Sequence, residues 1–335
     1  MERETMTPLS SSYRSALSTA AKDALVRRSR PQQLPGRTVV VHDHEISAEL
    51  AARYARMFHR NGPALDTADL PSVLVHVASF PAAMELMADP DFPLPLLGMV
   101  HLRNRVVHHA PVPAGTPVEV AASATRLSAH PSGTTVDLVV TVHGPARVDR
   151  PAYGTVSDPS DGTGELQLLW EGTSTYLAAG VHLPAHERPA KAGHPPFTAP
   201  QLTAQWRLPA STGREYAAVS GDFNPIHLNP VTAKLLGQKG MIAHGMYLAG
   251  RMLAGREPAG AGHEWEISFA TPVLLPGTVS LGVVHADRRN AEITTELTTE
   301  VTAWNGRTGR PHFTGSITVP GSGPGHRSGP GQGRA

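Results

Sequence analysis

YAAVSGDFNPIH, residues 216 to 227, places a carboxyl group at Asp222 and an imidazole at His227, with Pro225 between them. Five positions apart, two side chains diverge on a continuous α-helix and face opposite sides of a straight strand. Pro225 offers no backbone donor and disfavours helical geometry at Asn224, so the chain bends there. A bend lets the two side chains meet around one small space, as paired acid and base groups require. Upstream, Thr212 with Glu215 three residues later fits a capping box, and Tyr216 and Val219 supply an apolar edge. A helix is therefore expected to lead into the bend. Gly, Asp, Asn and Pro are also the ordinary turn residues, and a plain turn is the competing reading of the run by itself.

At 335 residues the chain has material for two ordinary domains. Its 29 Lys and Arg against 28 Asp and Glu give no electrostatic case for wrapping nucleic acid or coating an anionic membrane. Cysteine is absent, which excludes disulfides, thiolate metal sites and cysteine nucleophiles and suits a reducing cytoplasm. Arg14, Lys22 and Asp23 interrupt Tyr13 to Val26, so the apolar core of a signal peptide is not formed there. No apolar run approaches membrane-spanning length, and a soluble cytoplasmic protein is expected.

Composition divides the chain. Residues 1–36 form an N-terminal extension with a short helix expected around Ser15 to Val26, and residues 184–200 read as a proline-rich linker. Residues 320–335, rich in glycine, proline and serine, are expected to be disordered. The two blocks between, 37–183 and 201–319, look like copies of one design. Tyr54 against Tyr216 and Gly115 against Gly277 share an offset of 162 (216 − 54 and 277 − 115), which also aligns Ala55 with Ala217, Pro63 with Pro225 and Thr116 with Thr278.

Each block carries the same order of signals. In the first, Ile46, Leu50, Tyr54, Met57 and Phe58 form a helical stripe, followed by an apolar segment, Val73 to Met87, interrupted by Pro81. Strands are expected at Val118 and Val120, Val136 to Val142, and Leu168 to Tyr176. In the second, Met246, Ala249, Met252 and Leu253 make a helix face. Strands follow at Trp265 to Phe269, Val279 to Val283, Ile293 to Trp304 and His312 to Val319. Helix followed by antiparallel strands, twice over, is an α+β pattern.

Gly221 to His227, preceded by Tyr216 and followed by Ala233, resembles the signature of the MaoC-like (R)-specific enoyl-CoA hydratases. The resemblance runs from about Thr198 to Val319 and includes Ala243-His244-Gly245-Met246. It implies a hot-dog fold, a long central helix wrapped by an antiparallel sheet, here as an α+β double hot-dog. It also implies Asp222 and His227 as the catalytic pair, acting on thioesters of coenzyme A or acyl carrier protein. Pro95 to His101, followed by Arg103-Asn104-Arg105, resembles the N-terminal half of the double hot-dog members. At the 162-residue offset, Asp222 falls opposite Arg60 and His227 opposite Leu65. One catalytic pair is therefore expected, with the first half shaping an acyl pocket.

Hydration of a 2-enoyl thioester requires deprotonation of water, protonation of the α-carbon and stabilisation of charge on the thioester oxygen. His227 is expected to help activate the water and Asp222 to deliver or relay the proton, with the division between the coupled pair left open, since an imidazole transfers protons near neutral pH and a carboxyl does so once its pKa is raised. Asn224, between them, is expected to orient Asp222 or the water by its amide. Gly245 precedes a helix whose apolar face begins at Met246, so its N–H is among the unpaired donors of a helix start and suits a developing oxyanion. Gly221, Phe223, His244 and Met246 are expected to contact substrate.

His42-His44 and His108-His109 lack any paired metal-binding spacing, so no metal is expected, and no organic cofactor. Arg27, Arg28 and Arg30 read as an exposed solubilising cluster, or as a contact for coenzyme A phosphates. The alternatives to an enoyl-CoA hydratase are a 3-hydroxyacyl-carrier-protein dehydratase, a non-catalytic acyl-thioester binding module and a hot-dog thioesterase. A fused pair already supplies the contact that single copies make by dimerising, so a monomer or homodimer is expected.

Overall fold

The computed structural model describes residues 2–3, 6, 31–58, 69–96, 98–145, 166–183, 188–191, 193, 196–258, 262–289 and 295–319. The expected helix at Ser15 to Val26, the arginines 27, 28 and 30, the aligned positions Arg60, Pro63 and Leu65, and the 320–335 tail lie outside these residues.

The first half runs β1 (Glu2–Arg3), β2 (Val39–Glu45), α1 (Ala48–Phe58), α2 (Ser72–Met87), β3 (Met99–His108), β4 (Pro117–His130), β5 (Gly133–Pro145) and β6 (Leu166–Ala179). The second runs β7 (Ala204–Leu208), α3 (Thr212–Ser220), a 3-10 turn (Pro225–His227), α4 (Pro230–Leu235), α5 (Gly245–Leu253), β8 (His263–Phe269), β9 (Gly277–Arg289), β10 (Thr295–Trp304) and β11 (Pro311–Val319). The strands form one sheet in the order β1-β2-β4-β5-β6-β3-β8-β11-β10-β9-β7. From β2 inward to β3 and from β7 inward to β8 the two halves repeat one topology, and they join head to head where β3 pairs antiparallel with β8. This is the double hot-dog arrangement.

Strand alternation accounts for the inner faces. In β8, Trp265 and Ile267 are fully buried between half-exposed Glu264 and Glu266, and in β9 Val279 and Leu281 are buried. Helix α2 is buried on nearly every side, with Val73, Leu74, Val75, Met84 and Leu86 all inaccessible to solvent. Pro81 does not interrupt it, contrary to the expectation above; the helix continues from Ser72 to Met87. Proline removes one ladder hydrogen bond, and burial of the surrounding apolar residues outweighs that loss. A second correction concerns α3. Thr212 is its first helical residue rather than its cap, and Ser211, the residue before it, makes no capping hydrogen bond.

The seam between halves is polar at both edges. Outward, Arg105 pairs with Glu264 at 2.7 Å and Arg103 with Glu266, both exposed and therefore weak. Inward, paired His108 and His263 meet the buried Ser72 hydroxyl at the start of α2, at 2.7 Å and 3.1 Å. Glu257 accepts from the Ser72 backbone N–H at 2.6 Å and faces His263 Nε2 at 3.1 Å. A carboxylate only accepts, so His263 carries its proton on Nε2. Ser72 then donates to His108 Nδ1, leaving the Nε2 proton of His108 toward Asp69, 3.4 Å away.

Candidate active site

Glycine 221 ends α3 in the left-handed conformation, φ +73°, and its N–H closes on the Ala217 carbonyl at 2.9 Å. Glycine adopts that conformation without steric cost, and the chain leaves the helix axis immediately before Asp222. The Asp222 carboxylate then accepts the Asn224 backbone N–H at 3.1 Å, and the Asn224 side chain accepts the Ile226 N–H at 3.3 Å, capping the 3-10 turn. Two successive Asx turns therefore fold the bend. They satisfy its backbone donors locally and return His227 toward Asp222.

His227 is buried, and its Nδ1 lies 2.8 Å from the Ile242 carbonyl. A carbonyl only accepts, so Nδ1 carries the proton and Nε2 keeps its lone pair. His244, 2% exposed, stacks on His227 at 3.6 Å between ring centroids and donates Nε2–H to the Asp222 backbone carbonyl at 3.0 Å. One nitrogen from each ring and a carboxylate oxygen of Asp222 lie within 4.8 Å of one another. Burial lowers the His227 pKa, an effect opposed by the Asp222 charge. Burial and the neighbouring His227 press that of His244 down to about 3. Both rings are therefore neutral near pH 7.

These groups border a cavity of about 260 Å³. From the second half come Tyr216, Asp222, Asn224, His227, His244 and Gly245, which opens α5. From the first come Val77, Phe80, Met84 and Met87 on α2, with Leu96 and Met99 beyond it. The two halves thus enclose one space.

Of the residues expected to contact substrate, His244 and Met246 line the cavity and two do not. Gly221 is spent on terminating α3, and Phe223 is 50% exposed and away from the cavity lining. The Asx turn explains this, because holding Asp222 inward turns its neighbour to solvent. Asn224 meets Asp222 through its backbone N–H, while its side-chain oxygen is committed to the turn. His244 is also buried against the pair, donating to the Asp222 main chain and stacking on the His227 ring. His76, His101 and Tyr176 also line the cavity and were not identified from the sequence. His101 falls within the Pro95 to His101 run, but nothing in that run shows which half of the molecule it faces.

Among the described residues, two groups of side chains are close enough to share a cation, Asp222-His227-His244 and His108-Glu257-His263. In each, ring nitrogens already serve carbonyl, hydroxyl or carboxylate partners. Histidines remote in sequence create the second group, which spacing along the chain could not reveal.

Residues 189–305 match the family model described as a MaoC like domain. The chain is 32% identical over 304 residues to 3-hydroxyacyl-thioester dehydratase X of Mycobacterium tuberculosis, spanning 89% of this chain and 95% of the relative. The crystal structure of HtdX from the same organism superposes with a TM-score of 0.62 at 28% identity, covering 84% of this chain and 99% of that one. A MaoC-like dehydratase from Phytophthora capsici shares the fold, with a TM-score of 0.57 at 15% identity over 85% of this chain and 95% of that one. No helix among the described residues is long and apolar enough to cross a membrane. With its paired topology and its relatives in agreement, the chain belongs to the MaoC-like dehydratase family of hydro-lyases, in the double hot-dog form.

Proposed function

We propose that the protein interconverts 2-enoyl and (R)-3-hydroxyacyl thioesters, with Asp222 and His227 as its catalytic pair and coenzyme A or an acyl carrier protein as the thiol portion of the substrate. The (R) configuration follows from the family resemblance. One observation carries the assignment of the pair. His227, fixed through Nδ1, keeps an unprotonated Nε2, and one of its ring nitrogens lies within 4.8 Å of an Asp222 carboxylate oxygen, on the wall of a cavity lined by both halves.

In the hydration direction His227 Nε2 takes a proton from water as its oxygen bonds to the β-carbon. Asp222, ionised at the start, relays that proton from His227 to the α-carbon, which leaves both groups as they began. Dehydration reverses these steps. Charge developing on the thioester oxygen is met by the Gly245 N–H, in the first turn of α5, where backbone donors lack intrahelical partners. A Cβ at Gly245 would lie 2.9 Å from the Phe269 ring, so the glycine keeps that approach open. The reaction draws on no metal or organic cofactor, and the apolar wall of α2 suits the acyl chain.

The test is to incubate the protein with crotonyl-CoA and longer 2-enoyl-CoAs, following loss of the conjugated thioester absorbance while titrating free thiol. Absorbance loss without thiol release is expected, and Asp222→Asn and His227→Ala should each abolish it with the fold retained by circular dichroism. Thiol release would mean a thioesterase. Normal turnover in either variant would remove that residue from the mechanism. Inactivity on every coenzyme A thioester, with activity on the acyl-carrier-protein form, would assign the carrier.

A further inference from the structure

The acyl side of the cavity is not uniformly apolar. Val77, Phe80, Met84 and Met87 cover one wall, while His76, His101 and Tyr176 place three polar side chains among them. None belongs to the bend that carries Asp222 and His227; His76 is on α2, His101 on β3 and Tyr176 on β6. His101 and Tyr176 sit nearer the reacting end, since their rings stack and His101 also meets Phe269, the ring that lies against Gly245, while His76 stacks on Phe80 of α2.

The orientation of each group can be worked out. His101 Nε2 lies 3.0 Å from the Arg103 carbonyl and so donates to it, which leaves Nδ1 as an acceptor with no protein partner among the described residues. Its ring is held flat on Tyr176, centroids 4.5 Å apart, and against Phe269 at 5.4 Å. His76 stacks on Phe80 at 5.6 Å and its ring nitrogens have no hydrogen-bond partner among the described residues. Burial presses His101 down to about 4 and His76 down to about 3, so both stay neutral, and burial raises the Tyr176 phenol, which keeps its proton. The wall therefore offers fixed, uncharged acceptors and a hydroxyl at the edge of an otherwise hydrophobic compartment.

A plain alkyl chain laid along this wall would strip water from the imidazoles and return nothing. A chain carrying a hydroxyl would replace that water, donating to His101 Nδ1 or His76. Building on the hydratase reading above, we infer that His76, His101 and Tyr176 form a specificity subsite for acyl chains bearing a hydroxyl beyond the β-carbon, so that the preferred substrates are oxygenated rather than plain 2-enoyl thioesters.

The experiment compares 2-octenoyl-CoA with matched thioesters hydroxylated two, three or four carbons beyond the β-carbon, reading kcat/KM by loss of the enoyl absorbance on the full chain. A preference on the order of tenfold for at least one hydroxylated substrate is expected, the worth of one neutral buried hydrogen bond. His101→Phe, which keeps the aromatic stack and removes the acceptor, should bring that ratio close to one, and so should His76→Phe if the hydroxyl reaches deeper. Equal or better turnover of the plain chain by the wild-type protein overturns the inference and leaves the hydratase reading standing. Turnover of none of the substrates, offered both as coenzyme A and as acyl-carrier-protein thioesters, overturns both. A hydroxyl preference that survives in both variants also overturns it, because the discrimination would then arise elsewhere.

Discussion

Gly213, in the first turn of α3, lies against the main chain of the residue assigned as base. A Cβ built there would sit 2.1 Å from the His227 carbonyl oxygen and 3.1 Å from its carbonyl carbon. A relaxed carbon–oxygen contact is about 3.3 Å, so Gly213→Ala must drive α3 and the 3-10 turn apart by roughly 1.2 Å. His227 is tied at two other points, by its N–H to the Asn224 carbonyl at 3.0 Å and by Nδ1 to Ile242 at 2.8 Å. The displacement therefore falls on the imbedded ring and its distance to Asp222 rather than being absorbed by a loop. Overpacking of this kind costs about 1–3 kcal/mol of stability. A misplacement of about 1 Å at a reacting group costs about 10²-fold in rate. We expect kcat for crotonyl-CoA hydration to fall about 10²-fold while the protein remains folded at assay temperature. Gly240→Ala is the matched control, because a Cβ there meets only Leu274, at 3.9 Å. If Gly213→Ala melts lower, as overpacking requires, yet keeps kcat within about twofold of wild type, then the backbone position of His227 does not govern the chemistry and the reasoning fails.

Two further predictions concern stability. Histidines 76, 101 and 244 have folded pKa values near 3, 4 and 3, below the ordinary 6.5, because burial opposes their charging. Between those values the unfolded chain binds protons that the folded chain refuses, so stability is full above about pH 6.5 and is lost as pH falls toward 4, by at most about 1.4 kcal/mol per pH unit for each ring. Melting curves between pH 7 and pH 5 should show a steady decline, and a flat profile would contradict neutral burial of these rings. At the seam, Ser72→Ala leaves His108 and His263 without the hydroxyl that links them and should cost about 1–3 kcal/mol in urea denaturation. The exposed pairs removed by Glu264→Gln with Glu266→Gln should cost under about 1 kcal/mol together. The opposite ranking would mean that the outer ion pairs, not the inner network, hold the halves together.

Much of this was legible in the residues. The repeat offset, with Tyr54 and Tyr216 each buried near the middle of a helix, anticipated two halves of one topology. The bend was legible because its cause is local: Gly221 in the left-handed conformation, Asp222 and Asn224 in Asx turns and Pro225 fixing the next torsion. What misled was equally local. Thr212 and Glu215 match a capping pattern, but Thr212 already lies inside the helix, and Pro81 reads as a breaker although α2 is buried deeply enough to carry it.

The sequence by itself determined the period of the strands, the internal repeat and the kinked run carrying Asp222 and His227, because turn chemistry and alternation act between near neighbours. Only the tertiary structure decided which side chains share the cavity. His101, Tyr176 and His76 share a cavity with Asp222 because β3, β6 and α2 of one half fold against the bend of the other, and His108 meets His263 because the two halves of the sheet join at β3 and β8. Those links span from 46 positions, Tyr176 to Asp222 (222 − 176), to 155, His108 to His263 (263 − 108), and burial of the common core, rather than any local preference, brings them together.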